Sequence, residues 1–134
     1  GGEMSAHHYF RDFAYCDSGM IPWLVSCELM GRSGKPMSAL LAERMAAYPS
    51  SGETNFTLQD PQSSIAAVLG HYEPFSLHKD ETDGISLEFD NWRFNLRASN
   101  TEPVVRLNVE SSGDPDLVVI KLAEIKMLLN SAEA

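Results

Sequence analysis

Between residues 85 and 109 the chain alternates apolar and polar side chains in three runs: Ile85, Leu87 and Phe89; Trp92, Phe94 and Leu96; Val105, Leu107 and Val109. A period of two belongs to a β-strand with one buried face. Slipping any run by one residue would turn its apolar set to water, so the pattern constrains register as well as element type. Asp90-Asn91 turns the chain between the first two runs, and Arg-Ala-Ser-Asn-Thr-Glu-Pro at 97–103 turns it between the second and third. The polar face of the middle run carries Arg93, Asn95 and Arg97. The apolar face needs cover, and two helices can supply it. Asp60-Pro61 joins a cap to a first-turn proline, and Ile65, Val68, Leu69 and Tyr72 follow at helical spacing. Asp114-Pro115 opens a last helix that runs through Leu129. Brief strands are expected at 56–58 and 75–77, and a solvated charged turn at 79–84. The expected fold class is α+β: a mainly antiparallel sheet with helices on one face.

The turn at 97–106 sets hydroxyls, an amide and backbone N–H groups at the tip of a hairpin, with Arg97 and Arg106 at its feet. That is suitable chemistry for a phosphate. Arginine offers a planar fork that meets two phosphate oxygens at once, and each charge-assisted bond is worth roughly 1.5–3 kcal/mol. Ser99, Asn100, Thr101 and successive amides can complete an anion nest. An ordinary polar turn with two surface arginines fits the spacing equally well, because Ser, Asn and Thr are common turn residues.

Charge narrows the choice of partner. The formal net charge is -9, from 19 acidic and 10 basic residues. That balance argues against nucleic acid, whose backbone is bound by surplus Lys and Arg. A basic site built from Arg93, Arg97 and Arg106 on an acidic chain suits a small anion that enters a cleft. No apolar run of membrane-spanning length occurs, and no signal peptide is expected, so no membrane role is expected and the location is cytoplasmic. Cys16 and Cys27 lack the spacing of a metal site or a disulfide scaffold, and are expected as reduced, packed thiols.

The first third of the chain reads differently. Gly-Glu-Met-Ser-Ala-His-His-Tyr-Phe at 2–10 precedes an apolar helical run over 18–30, capped by Asp17 or Ser18 and stopped at Gly31 and Gly34. A second helix is expected over 36–48, with Pro36 in its first turn. Pro49-Ser-Ser-Gly52 is the clearest boundary. Two segments follow from it, residues 1–49 and residues 50–134.

The string Arg-Ala-Ser-Asn-Thr-Glu-Pro followed by an arginine resembles the phosphate-binding loop of the α-D-phosphohexomutases, the family of phosphomannomutase and phosphoglucomutase. Gly2-Glu-Met-Ser5 resembles the sugar-binding loop of the same family. The two strings stand in the family's order and the resemblance covers essentially the whole chain. It implies that residues 1–49 are the end of the family's third, α/β domain, here truncated to its helical end. Residues 50–134 would then be the fourth, phosphate-binding domain, with a sheet of the TATA-box-binding-protein-like type. It implies substrate phosphate on Arg97, Ser99, Asn100, Thr101 and Arg106, and sugar hydroxyls on Glu3 and Ser5 with His7 lining the site. It implies a phosphorylated hexose as partner, transfer of phosphate between the 6- and 1-positions, magnesium, and a hexose bisphosphate activator. Glu followed by Met in the first loop looks more like the mannose/glucose branch, with mannose favoured; the alternatives are a phosphoglucomutase or a stand-alone phosphosugar-binding module. The family's phosphoserine loop and its magnesium loop are missing from these 134 residues. The chain is therefore expected to be a piece of a longer enzyme, with no catalytic and no metal-binding residue of its own and no activity alone. Its residues 1–48 are expected to self-associate or to dock elsewhere.

Overall fold

The computed structural model describes residues 1–2, 6–99 and 104–131. The chain divides into two compact units, Gly1–Arg44 and Met45–Ala134.

In the first unit, β1 (Tyr9–Phe10) pairs antiparallel with β2 (Cys16–Asp17) across a short 3-10 turn at Arg11–Phe13. Ala14 and Tyr15 close that turn in the left-handed region, φ 53° and 58°. Helix α1 (Met20–Ser33) begins where the Ser18 hydroxyl accepts from the Ile21 amide at 3.3 Å. It runs through Gly31 and ends only at Gly34, whose φ of 65° supplies the left-handed stop and whose amide donates to the Met30 carbonyl at 3.0 Å. A glycine inside a helix costs stability but does not by itself end it. Helix α2 (Met37–Ala47) follows Pro36, with Lys35 paired to Glu43. Neither helix buries a residue. Cys16 and Cys27 are both exposed, which corrects the expectation of packed thiols: the elements that carry them have no apolar layer to bury them.

The second unit is one antiparallel sheet with two helices. Its strands are β3 (Thr54–Thr57), β4 (His78–Asp80), β5 (Ile85–Glu88), β6 (Trp92–Ala98) and β7 (Val104–Ser111), in the order β3-β7-β6-β5-β4. The predicted register holds: Leu87, Phe94 and Val109 form one buried row, and Leu96 stands opposite Leu107. Helices α3 (Pro61–Tyr72) and α4 (Pro115–Ser131) cover this face and bring Val68, Ile125 and Leu129 into the same core. Both start as expected. The Asp60 carboxylate accepts from the Ser63 amide at 3.1 Å, and that of Asp114 from the Leu117 amide at 3.0 Å. The hydroxyl of Ser63 and its amide together hold the Asp60 carboxyl below its usual range. The mixed α+β class is thus the observed one, with helices on one sheet face.

One local expectation changes. The segment at 75–77 is not a strand. Glu73–Phe75 is a 3-10 turn, the strand starts at His78, and Phe75 and Leu77 are 75% and 71% exposed. Two alternating residues are too few to hold a strand without a buried face. The boundary string at 49–52 is tied to the sheet. The Ser51 amide donates to Val109 O at 2.8 Å, and the Ser111 amide to Pro49 O at 3.0 Å, so residues 49–51 extend the β3 side of β7. Among the described residues no helix is long and apolar enough to cross a membrane.

Candidate phosphate site at the β6–β7 hairpin

The face of the sheet opposite the helices is polar. At its hairpin end Arg97 of β6 stands directly opposite Arg106 of β7, and Ala98 opposite Val105. The Ser99 amide donates to Val104 O at 2.8 Å, which adds the last rung before the turn. The two arginines therefore ride on a hydrogen-bonded ladder rather than on loose chain. Directly opposed residues have Cβ atoms about 4.5–5.5 Å apart, and like charges so placed repel. The sequence accepts that repulsion, and an anion between the two guanidinium groups would turn it into attraction.

Among the described residues, each arginine has one carboxylate on its outer side. Arg97 donates from Nη1 to Asp83 Oδ2 at 3.1 Å, with both side chains well exposed. Arg106 Nε lies 3.9 Å from Glu53 Oε1, close enough for charge attraction but beyond a hydrogen bond. That Nε is buried and has no hydrogen-bond partner among the described residues. A buried donor without a partner is costly and uncommon, and here it belongs to the residue chosen from sequence as a phosphate ligand.

The other expected ligands fall out as follows. Arg97, Arg106 and Ser99 share the hairpin end. Asn100 and Thr101 lie outside the described residues, as do Glu3 and Ser5. His7 is exposed and follows a left-handed Ala6, φ 63°, next to a bridge between Gly2 and His8. Arg93, grouped with the hairpin arginines on sequence, is on the same sheet face but four residues along β6, about 13 Å away at strand rise. It lies between Glu88 at 3.8 Å and Glu110 at 3.9 Å. The local basic site is therefore Arg97 with Arg106.

Two cavities mark the ends of the sheet. One of about 330 Å³ is lined by Gln62, Glu81, Asp83, Gly84 and Arg97, with two carboxylates beside the one guanidinium and without Arg106. A cavity at the opposite end, about 260 Å³, is lined by Glu88, Asp90 and Glu110 with Arg93, so both linings carry more carboxylates than cations. Asp83 and Glu53 are the residues that sequence reading misses. Asp83 lies in a turn that reads as solvated, and its pairing appears only once β5 and β6 are in register.

Two family models match the chain. Residues 1–48 match phosphoglucomutase/phosphomannomutase, alpha/beta/alpha domain III, and residues 53–124 match phosphoglucomutase/phosphomannomutase, C-terminal domain. A phosphomannomutase of Salmonella montevideo is 59% identical over 131 residues, 98% of this chain and 29% of the relative. A phosphomannomutase of Escherichia coli is 59% identical over 129 residues, 96% of this chain and 28% of the relative. A protein of Xanthomonas campestris pv. campestris named for phosphohexose mutases is 55% identical over 96% of this chain and 29% of the relative. In three dimensions the chain is similar to a crystal structure of a phosphoglucomutase/phosphomannomutase family protein from Burkholderia thailandensis. The TM-score is 0.68 at 26% identity, over 98% of this chain and 28% of that one. The chain spans less than a third of the length of the relatives it matches.

Proposed function

Because this chain belongs to the phosphoglucomutase/phosphomannomutase family, we propose that it is the phosphate-holding part of a phosphomannomutase that interconverts mannose 6-phosphate and mannose 1-phosphate. The observation that carries the reading is Arg97 facing Arg106 across adjacent strands, with a buried Nε on Arg106 that has no hydrogen-bond partner among the described residues. Arg97, Arg106 and Ser99, with Asn100 and Thr101, hold the substrate phosphate; Glu3, Ser5 and His7 meet the sugar. Mannose is favoured over glucose because the relatives at 59% identity carry the name phosphomannomutase.

The chain's own chemistry in this reading is to bind and orient. Two guanidinium forks on a rigid ladder fix a phosphate dianion without moving to meet it, which is the positioning that phosphoryl transfer depends on. Among the described residues no three His, Cys, Asp or Glu side chains gather closely enough to hold a metal ion. The magnesium implied by the family belongs, in this reading, with the phosphoryl donor and the hexose bisphosphate activator, to the longer enzyme in a cytoplasmic setting.

Titrating the chain with inorganic phosphate while following backbone amides by NMR tests the site. Shifts centred on Ser99 and its neighbours are expected, with a dissociation constant on the order of millimolar, about −4 kcal/mol. Arg97→Ala should weaken binding about tenfold, the worth of one charge-assisted contact. Shifts centred elsewhere, or indifferent to that substitution, overturn the reading.

A further inference from the structure

We propose that Asp83 is the resident counter-ion of Arg97, a positioning residue that moderates how tightly the hairpin holds an anion. The proposal rests on the phosphate-site reading. Across the hairpin end of the sheet, four charged residues form a row: Glu53, Arg106, Arg97 and Asp83. The central pair is set by strand register, and the outer two sit at 3.9 Å and 3.1 Å from the arginines. The formal charge of the row is zero. Its two halves are unequal, since Asp83 makes a hydrogen bond and Glu53 does not reach one.

Asp83 is held in place by its backbone. Its carbonyl accepts from Asn95 Nδ2 at 2.8 Å, and the same amide group donates to Ser86 Oγ at 3.0 Å. The next residue, Gly84, lies against the Leu96 carbonyl and the Arg97 backbone so closely that a Cβ there would fall 2.5 Å from that oxygen. The carboxylate itself stays in solvent, 73% exposed against 48% for Arg97. A fixed backbone with a free carboxylate is what a counter-ion requires: it is always at hand, and it yields to a better ligand.

Two consequences follow for Arg97. Its fork is oriented in the absence of anion, because one Nη is already engaged while four other N–H donors remain. Its charge is also offset, so an arriving phosphate shares the guanidinium with a carboxylate of its own sign. At a separation of about 6 Å in nearly aqueous surroundings, screened by salt, such repulsion weakens anion binding by about threefold to tenfold. Asp83 thus lowers the hold of the hairpin on phosphate.

The test uses the 134-residue chain and inorganic phosphate at low and at physiological salt, with NMR of the backbone amides and of the Arg97 Nε–H. Asp83→Asn keeps the side-chain length and an acceptor oxygen but removes the charge. It is expected to tighten phosphate binding about threefold to tenfold and to steepen its salt dependence. Asp83→Glu keeps the charge and should stay near the parent value. Glu53→Gln leaves the 81–84 turn untouched and should tighten binding by a smaller factor. If Asp83 serves only the fold of its turn, Asp83→Asn binds equally or more weakly and the salt slope stays put; that result overturns the proposal. So does tightening in neither variant, even where one of them folds poorly. Parent binding that Arg97→Ala weakens about tenfold but Asp83→Asn leaves alone removes the counter-ion and keeps the phosphate site. Parent binding absent from the hairpin removes both.

Discussion

Gly84 is a position where a single added carbon does great harm at the hairpin end of the sheet. Its φ is 72°, and a Cβ would meet the Leu96 carbonyl oxygen at 2.5 Å and the Arg97 Cβ at 2.9 Å. Neither backbone can give way without breaking the β5–β6 ladder. Gly84→Ala is expected to destabilise the second unit by about 2 kcal/mol or more in denaturant melts, from left-handed strain plus the clash. It should also loosen the Asp83–Arg97 pair, seen as a shift of the Arg97 Nε–H. Arg106 behaves in the opposite way. It opposes a like charge and buries a donor with no partner among the described residues. Arg106→Ala should therefore change stability by less than about 1 kcal/mol, while phosphate binding falls at least as far as in Arg97→Ala. A large loss of stability with binding intact would show that Arg106 serves the sheet rather than an anion.

The helices depend on the sheet through an aromatic cluster. Tyr72 ends α3 with its ring edge-on to Phe89, Trp92 and Phe94, and its hydroxyl donates to Glu124 Oε2 of α4 at 2.9 Å. Burial, then the bond to Glu124, push the phenol well above its ordinary value of 10.0. Lys121, bonded to the same carboxylate at 2.7 Å, holds Glu124 below its ordinary value. The signs follow from linkage. The raised phenol contributes stability that is complete below pH about 10 and is lost as pH climbs toward its folded value. The lowered carboxyl contributes stability that is present above its ordinary value of 4.5 and is lost as pH falls through its folded value. Tyr72→Phe should cost about 0.5–1.5 kcal/mol at neutral pH, by thermal melts, and flatten the alkaline limb. Helices α3 and α4 and the strand register are legible in the sequence because each rests on neighbours a few residues apart: a cap, a first-turn proline, a period of two. The Tyr72–Glu124 bond and the Asp83–Arg97 pair are not. They span 52 and 14 residues, and each exists only after the elements between them have packed. The apolar pair Phe75 and Leu77 shows the converse error, a pattern too short to be backed by burial.

For the whole chain, a coupled assay with mannose 1-phosphate, magnesium and a hexose bisphosphate should give background turnover only, because the family's phosphoserine and magnesium loops do not occur in these 134 residues. Turnover proportional to chain concentration would overturn that expectation. Association is the other property of the whole. Trp23, Leu24 and Val25 of α1 are 57%, 55% and 55% exposed, more apolar surface on one helix than water readily tolerates. Concentration-dependent self-association is expected in sedimentation velocity, weakened by Leu24→Lys; a monomer at every concentration would count against it. The margins of the sheet decide what form such assemblies take. β3 and β4, its two border strands, have four and three residues, and Lys79 on β4 is paired with both Glu73 and Glu81. Residues 49–51 occupy the rest of the open flank of β7. Neither border offers a long, flat row of unpaired amides to template another strand. Copies of this chain that coalesce will therefore do so through side chains as amorphous, reversible clusters, and should leave thioflavin T dark.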